Sequence, residues 1–424
     1  MQLIRGRVVS FDADPLAGTV PPLDIEDGAV LVEDGRIAAV GEWADLARPG
    51  VPVADHRGRI ILPGFIDPHI HFPQLQVVAS WGTELLDWLN RYTFPAEARF
   101  ADRAHAKAMS PRFLDALIRA GTTTACCYCS SHRVSAEALL SEAERRGMAL
   151  IAGKVMMDRN APEAVRDTAQ SAHDDTEALI RDWHGRGRLQ VAITPRFAIT
   201  STPAQLEAAG ALAAAHPEVL VQTHISENHA EIALTAELFP EARDYLDVYD
   251  RAGLLSDRLL LGHCLHLTPR EIARMAEAQA RAVACPTSNL FLGSGLFDHA
   301  GLRAGGIPTA LATDIGGGTS WSMLQTLGEA YKVAAMRGER LHAFDAFHWA
   351  TAGNAEALHL GHRLGRIAPG YDADLIALDP RATPEMALRM EAVETLSEAL
   401  FLLQVMGDDR AVAQTWIAGR AAKA

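Results

Sequence analysis

Leu62–Gln74 reads LPGFIDPHIHFPQ. An apolar run leads into His69-Ile70-His71, and because a strand sends residues i and i+2 to one side, both imidazoles share a face at the strand's end. Taken alone, the pair more readily describes two core histidines satisfied by hydrogen bonds than metal ligands. Its surroundings decide the matter. Seven more short apolar runs follow: TTTACCY, MALIAGKVMM, LQVAITP, VLVQTHI, LLLGHC, RAVACP and IPTALATD. Helical stretches such as AQLEAAGALAAAH and PREIARMAEAQA separate them. Such alternation predicts parallel βα units, and eight of them predict an α/β fold closed as a (β/α)8 TIM-type barrel. An open doubly wound sheet is the competing closure, but no Gly-rich phosphate fingerprint follows the first strand.

The chain ends read differently. QLIRGRVVSF and AVLVEDGRIAAVGE near the start alternate like half-buried strands, the second bent at Asp34-Gly35, a hairpin signal. APGYDADLIALD and AVAQTWIAGRA near the end repeat the style. Both ends therefore predict one small β-sandwich domain, residues 1–62 and 365–424, around a catalytic barrel of residues 63–364. A helical insertion at 386–407 carries no chemical motif.

Composition narrows the function classes. No apolar run in the 424 residues approaches the roughly 20 needed to span a bilayer, and MQLIRGRVVSFDADP carries no secretory signal, so a cytoplasmic protein is expected. A net charge of −14 argues against a nucleic-acid or anionic-membrane surface and favours a small neutral ligand. Three of the five cysteines crowd into ACCYCS; Cys126-x-x-Cys129 lies in a strand entering a core and reads as structural rather than as a metal or redox site.

Barrels place their chemistry at the C-terminal ends of strands. Those ends carry His69 and His71 on the first run, Arg196 after the fourth, His224 on the fifth, His263 on the sixth and Asp314 on the eighth. Histidines and an aspartate at one layer of four strands predict a metal centre. Lys154 lies on the third run, whereas the fourth ends in Thr-Pro-Arg, so Lys154 is expected in a structural polar network and not as a bridge between two ions.

The constellation resembles the amidohydrolase superfamily, with H-x-H on strand one, His on strands five and six and Asp on strand eight. The resemblance spans essentially the whole chain. Within the superfamily, PGFIDPHIHFPQ, LLDWLNRYTFPAE, GKVMMDRN, TPRFAIT, HISEN and TDIGGGTS are similar to its guanine-deaminating branch. The resemblance implies one divalent ion per chain, zinc or alternatively ferrous iron, bound by His69, His71, His224 and Asp314. It further implies Glu227 as proton shuttle, His263 and Asp314 as catalytic partners of the attacking water, and a purine held by Gln74, Arg196 and Phe197 beside His71, His224, Glu227 and Asp314. The implied activity is hydrolysis of a C–N bond in a cyclic amidine, guanine to xanthine and ammonia, by a homodimer. Alternatives are another aminated heterocycle as substrate and a non-catalytic barrel scaffold. The cytidine-deaminase arrangement is excluded because His229-Ala-Glu231 follows the C-x-x-C instead of preceding it.

Overall fold

The computed structural model describes residues 1–15, 21–81 and 85–423. The chain divides into two compact units, one of Met1–Asp67, Leu114–Thr124 and Trp321–Ala424, the other of Pro68–Phe113 and Ala125–Ser320.

The first unit contains a seven-stranded sheet drawn from both chain ends. Strands β1 (Gln2–Ser10), β2 (Leu23–Glu33), β3 (Arg36–Glu42) and β4 (Val53–Pro63) join three later ones, β14 (Leu375–Leu378), β15 (Val412–Ile417) and β16 (Arg420–Ala421), in the order β16-β15-β14-β4-β1-β2-β3. The expected hairpin joins β2 to β3, with Asp34 and Gly35 at φ 48° and 80°, the two left-handed positions a tight primed turn requires. Ile4, Val8, Val30, Ile61, Leu375 and Trp416 fill the core. The 386–407 segment forms two helices, Pro384–Met390 and Leu396–Met406. The second packs against helix Met323–Met336 so closely that a Cβ at Gly328 would stand 2.9 Å from the Gln404 carbonyl.

All eight apolar runs form strands: β5 (Phe65–His71), β6 (Thr122–Tyr128), β7 (Ala149–Gly153) with its continuation β8 (Val155–Met156), β9 (Leu189–Pro195), β10 (Leu220–Ile225), β11 (Leu259–His263), β12 (Arg281–Ala284) and β13 (Thr309–Leu311). Their order, β13-β12-β11-β10-β9-β7-β6-β5, follows the sequence. Two backbone hydrogen bonds bring the last strand to the first, Asp314 N to His69 O at 3.0 Å and His71 N to Ile315 O at 2.6 Å. The sheet is therefore a (β/α)8 barrel. Strands buried on both faces read as continuous apolar runs, which is why β5, β6, β7 and β10 are buried at every residue. Helices such as Arg133–Arg146, Ala169–Trp183, Pro203–Ala215 and Pro269–Ala278 intervene, several started by side-chain caps at Thr168, Thr202 and Thr268.

Candidate active site

The strand ends of the second unit converge on one cleft, lined by His71, Gln74, Arg196, Phe197, His224, Glu227, His263 and Asp314, with Leu85, Trp88, Leu89 and Leu292 as apolar walls. Of the site residues that the sequence nominates, all but His69 line this cleft; His69 is fully buried beside them.

The imidazoles meet head to head. His224 Nε2 is 3.2 Å from His71 Nε2, and Asp314 Oδ1 lies 3.2 Å from His71 Nε2 and 3.4 Å from His69 Nε2. His224 Nδ1 donates to the Arg196 carbonyl at 2.6 Å, which fixes the tautomer and leaves Nε2 a bare lone pair. Burial pushes the His71 imidazole down to about 4, against the opposing pull of Asp314. Burial, then the neighbouring imidazoles of His69, His71 and His263, hold His224 well below the usual range. At neutral pH both rings are neutral. Burial pushes the Asp314 carboxyl up, but hydrogen bonds from His69 and His71 outweigh it, and Asp314 is an anion. The bare Nε2 of His224, the Nε2 atoms of His69 and His71 and the anionic Asp314 carboxylate crowd at one point, a donor set that fits a divalent ion. His69, His71 and His224 place one ligand atom each within 4.8 Å of one another, as do His69, His263, Cys285 and Asp314.

The sequence did not single out Cys285. It is buried at the end of β12, with its thiol toward the Val283 carbonyl at 3.7 Å. The short contacts linking His69, His71, His224 and Asp314 do not include it.

Local backbone serves this layer. His263 and Asp314 adopt φ of 74° and 52°, left-handed conformations costing on the order of 1–3 kcal/mol each in a non-glycine residue. The Asp314 N–H bond to β5 holds one of them in place. Gly262 lets His69 lie flat against β11, since a Cβ there would stand 2.5 Å from His69 Cε1.

Glu227 stands across the cleft. Its Oε1 accepts from Ser294 Oγ at 3.1 Å and its Oε2 lies 3.4 Å from His263 Nε2. His263 Nδ1 donates to Asn289 Oδ1 at 2.8 Å, which orients the ring with Nε2 toward Glu227. Burial, reinforced by the Asp314 charge, pushes the Glu227 carboxyl up to about 8. In the folded chain Glu227 therefore carries a proton at neutral pH. The next carboxylate on the loop, Glu231, anchors the segment: it accepts from the Glu227 and Asn228 N–H groups at 2.9 and 3.1 Å and from the Tyr245 hydroxyl at 2.7 Å.

On the third side, Gln74 and Arg196 meet at Glu97, which nothing in the sequence singles out. Gln74 Nε2 donates to Glu97 Oε1 at 3.0 Å, and Arg196 Nη1 reaches both Glu97 oxygens at 2.8 Å. Arg196 is thus both an ion-pair member and a cleft residue. Tyr128, also unforeseen, stacks on His71 with ring centroids 4.6 Å apart.

Two expectations concern neighbouring residues. Lys154 forms a buried ion pair with Asp167 at 2.5 Å, the structural network expected of it. Cys126 packs inside the barrel, its thiol 3.2 Å from Gln222 Oε1, as a core residue.

Residues 60–422 match the Amidohydrolase family, and a short segment, 28–48, matches the bacterial imidazolonepropionase-like composite domain. The chain belongs to the amidohydrolase family. Among the proteins it is similar to is the guanine deaminase of Escherichia coli, 44% identical over 93% of this chain and 91% of that one. A solved structure of E. coli guanine deaminase superposes with a TM-score of 0.96 at 42% identity, covering 100% and 99% of the two chains. The guanine deaminase of C. acetobutylicum, crystallised with guanine bound in the active site, gives 0.89 at 29% identity over 99% of each chain. An adenosine deaminase of Xanthomonas campestris with bound zinc gives 0.84 at 26% identity, covering 99% and 92%.

Proposed function

We propose that this chain is a metal-dependent hydrolytic deaminase that converts guanine to xanthine and ammonia. The observation that carries the reading is the convergence, in one cleft, of a cation-seeking donor set, a protonated Glu227 and the Gln74–Arg196 pair. The similarity to guanine deaminases, one of them holding guanine, supports the substrate.

His69, His71, His224 and Asp314 would hold one ion. Zinc suits three imidazoles and a carboxylate, the similar adenosine deaminase structure has zinc bound, and elemental analysis separates zinc from ferrous iron. When bound, a divalent ion supplies the Lewis acidity that makes water a competent nucleophile near neutral pH. The rest falls to the chain. Asp314 and His263, whose Oδ2 and Nε2 lie 3.9 Å apart, orient the attacking water by accepting its hydrogen bonds. Glu227 gives its proton to the ring nitrogen beside the amine-bearing carbon, so charge building there is neutralised as water adds. Glu227, now a carboxylate, takes one proton from the added water and passes it to the amine, which leaves as ammonia; it takes the water's second proton as the carbon becomes a carbonyl, and so ends protonated as it began. Phe197 and the apolar walls hold the ring plane, and Gln74 and Arg196 take its polar edge.

In the same reading residues 63–364 are the catalytic barrel and 1–62 with 365–424 its β domain, a division supported by the shared sheet of both chain ends. Five buried thiols suit a reducing, cytoplasmic setting. A homodimer is the assembly proposed, to be checked by light scattering.

The test is ammonia release from a panel of purines, pyrimidines and triazines, with metal content measured on the same sample. Guanine should be the preferred substrate of a protein holding one ion per chain. Preference for another aminated ring would replace the substrate, and a metal-free, inert protein would leave only a scaffold.

A further inference from the structure

Glu97 lies behind the recognition wall, 1% exposed and outside the cleft lining, yet it is bonded to both residues that form the wall. As a carboxylate it can only accept hydrogen bonds. The nitrogen end of the Gln74 amide is therefore turned toward it. A second partner fixes the same orientation from the other side: the Gly316 N–H, which can only donate, reaches Gln74 Oε1 at 3.2 Å. The amide consequently cannot flip without breaking two bonds and setting like groups against each other. Its oxygen already accepts from Gly316, and its second Nε2–H is left to donate to a ligand. Arg196 has donors only. Glu97 takes its Nη1, and the guanidinium carbon stands 5.4 Å from the Phe94 ring centroid, leaving Nε and Nη2 for a ligand.

We infer that Glu97 is the specificity-determining residue of the cleft: by fixing Gln74 and Arg196 it makes their wall donor-only, so the site selects a ring edge bearing carbonyl and ring-nitrogen acceptors and rejects one bearing an exocyclic amine. The inference rests on the proposed deaminase reading and extends it. In guanine, the edge away from the reacting amine presents a carbonyl oxygen and a ring nitrogen, both acceptors. In 2,6-diaminopurine an amine replaces that carbonyl and would point N–H at N–H. A buried polar site left unpaired in this way discriminates far more strongly than apolar shape does.

The experiment has a binding arm and a kinetic arm. In the wild-type holoenzyme, hypoxanthine should bind at least about a hundredfold more tightly than adenine, which differs from it in an amine for a carbonyl at this edge. In kinetics, the ratio of kcat/KM for guanine over 2,6-diaminopurine should fall at least tenfold in Glu97→Gln, whose amide can donate as well as accept. Glu97→Asp, which keeps an acceptor-only group, should hold the ratio within about threefold even where kcat drops. A general structural role for Glu97 would lower both substrates together and leave the ratio unmoved. Equal binding of hypoxanthine and adenine, or an unchanged ratio in a folded Glu97→Gln enzyme, overturns the inference. Should the wild type prefer hypoxanthine yet release no ammonia from guanine, the donor-only wall stands and the proposed reaction falls.

Discussion

Two walls of the same cleft are built on opposite principles. The histidine layer is left incomplete: the bare Nε2 of His224 lies 3.2 Å from His71 Nε2 beside an anionic Asp314, a donor set that suits a cation. In the Gln74–Glu97–Arg196 wall the carboxylate is held before any guest arrives, by three contacts of 2.8–3.0 Å. The first wall buys binding of an ion at the expense of apo stability, whereas the second spends its pairing on orientation. Substitutions in the two should therefore fail differently, one losing the cofactor and the other losing choice of substrate.

The largest effect is expected at the incomplete wall. His69→Ala removes one of four proposed ligands and should abolish metal retention and turnover together, checked by elemental analysis beside an ammonia assay. Full occupancy in that variant would erase the contrast between the walls.

Glu227→Gln comes next. It keeps size and hydrogen bonding while removing the proton, so kcat should fall by about 10²- to 10⁴-fold with metal and purine binding retained. The wild-type pH profile gives a companion reading. Burial and Asp314 raise Glu227 to about 8, and Arg196, the Ser294 hydroxyl and a bound cation pull the other way. Loss of its proton should therefore lower kcat/KM from about pH 8, or somewhat below, upward. A rate still climbing past that range would assign the proton transfer to another group.

At the second wall, Arg196→Leu should cost about 2 kcal/mol or more in guanine kcat/KM, roughly a thirtyfold loss. Because Glu97 is then left buried without its cation, thermal stability should fall as well, by about 3–5 kcal/mol, while the metal stays bound. Metal loss in that variant would mean the two walls are not separable.

The smallest effect belongs to Gly262→Ala. The added methyl displaces His69 without removing it, and metal affinity should weaken about 10- to 100-fold, read by competition with a chromophoric chelator. Unchanged affinity would show that His69 reaches the ion from a different position.

The histidine layer was legible because its information is local. A period of two puts His69 and His71 on one face, and each remaining ligand closes a short apolar run that could hardly be anything but a buried strand. The eight strands were legible for the same reason. The second wall was not, since Glu97 lies 23 residues from Gln74 and 99 from Arg196, in a connection that winds through the helical turns Leu85–Trp88, Leu89–Thr93 and Phe94–Ala98. Its only local signal is a carboxylate in an otherwise apolar Thr-Phe-Pro-Ala-Glu-Ala turn, which as readily describes a solvated helix face. Ser294 and Asn289 escaped in the same way: a serine after Leu-Gly and an asparagine in a short helix acquire meaning only when β10, β11 and β12 bring them against Glu227 and His263.

The central claim is that the chain's histidine layer and its proton-carrying glutamate together deaminate guanine, and chelation followed by reconstitution tests it most directly. Protein stripped of metal should release no ammonia from guanine, and adding back one equivalent of zinc per chain should restore release with one xanthine formed per ammonia. Deamination of guanine at an undiminished rate by the stripped protein, or none after one ion per chain is bound again, would contradict it.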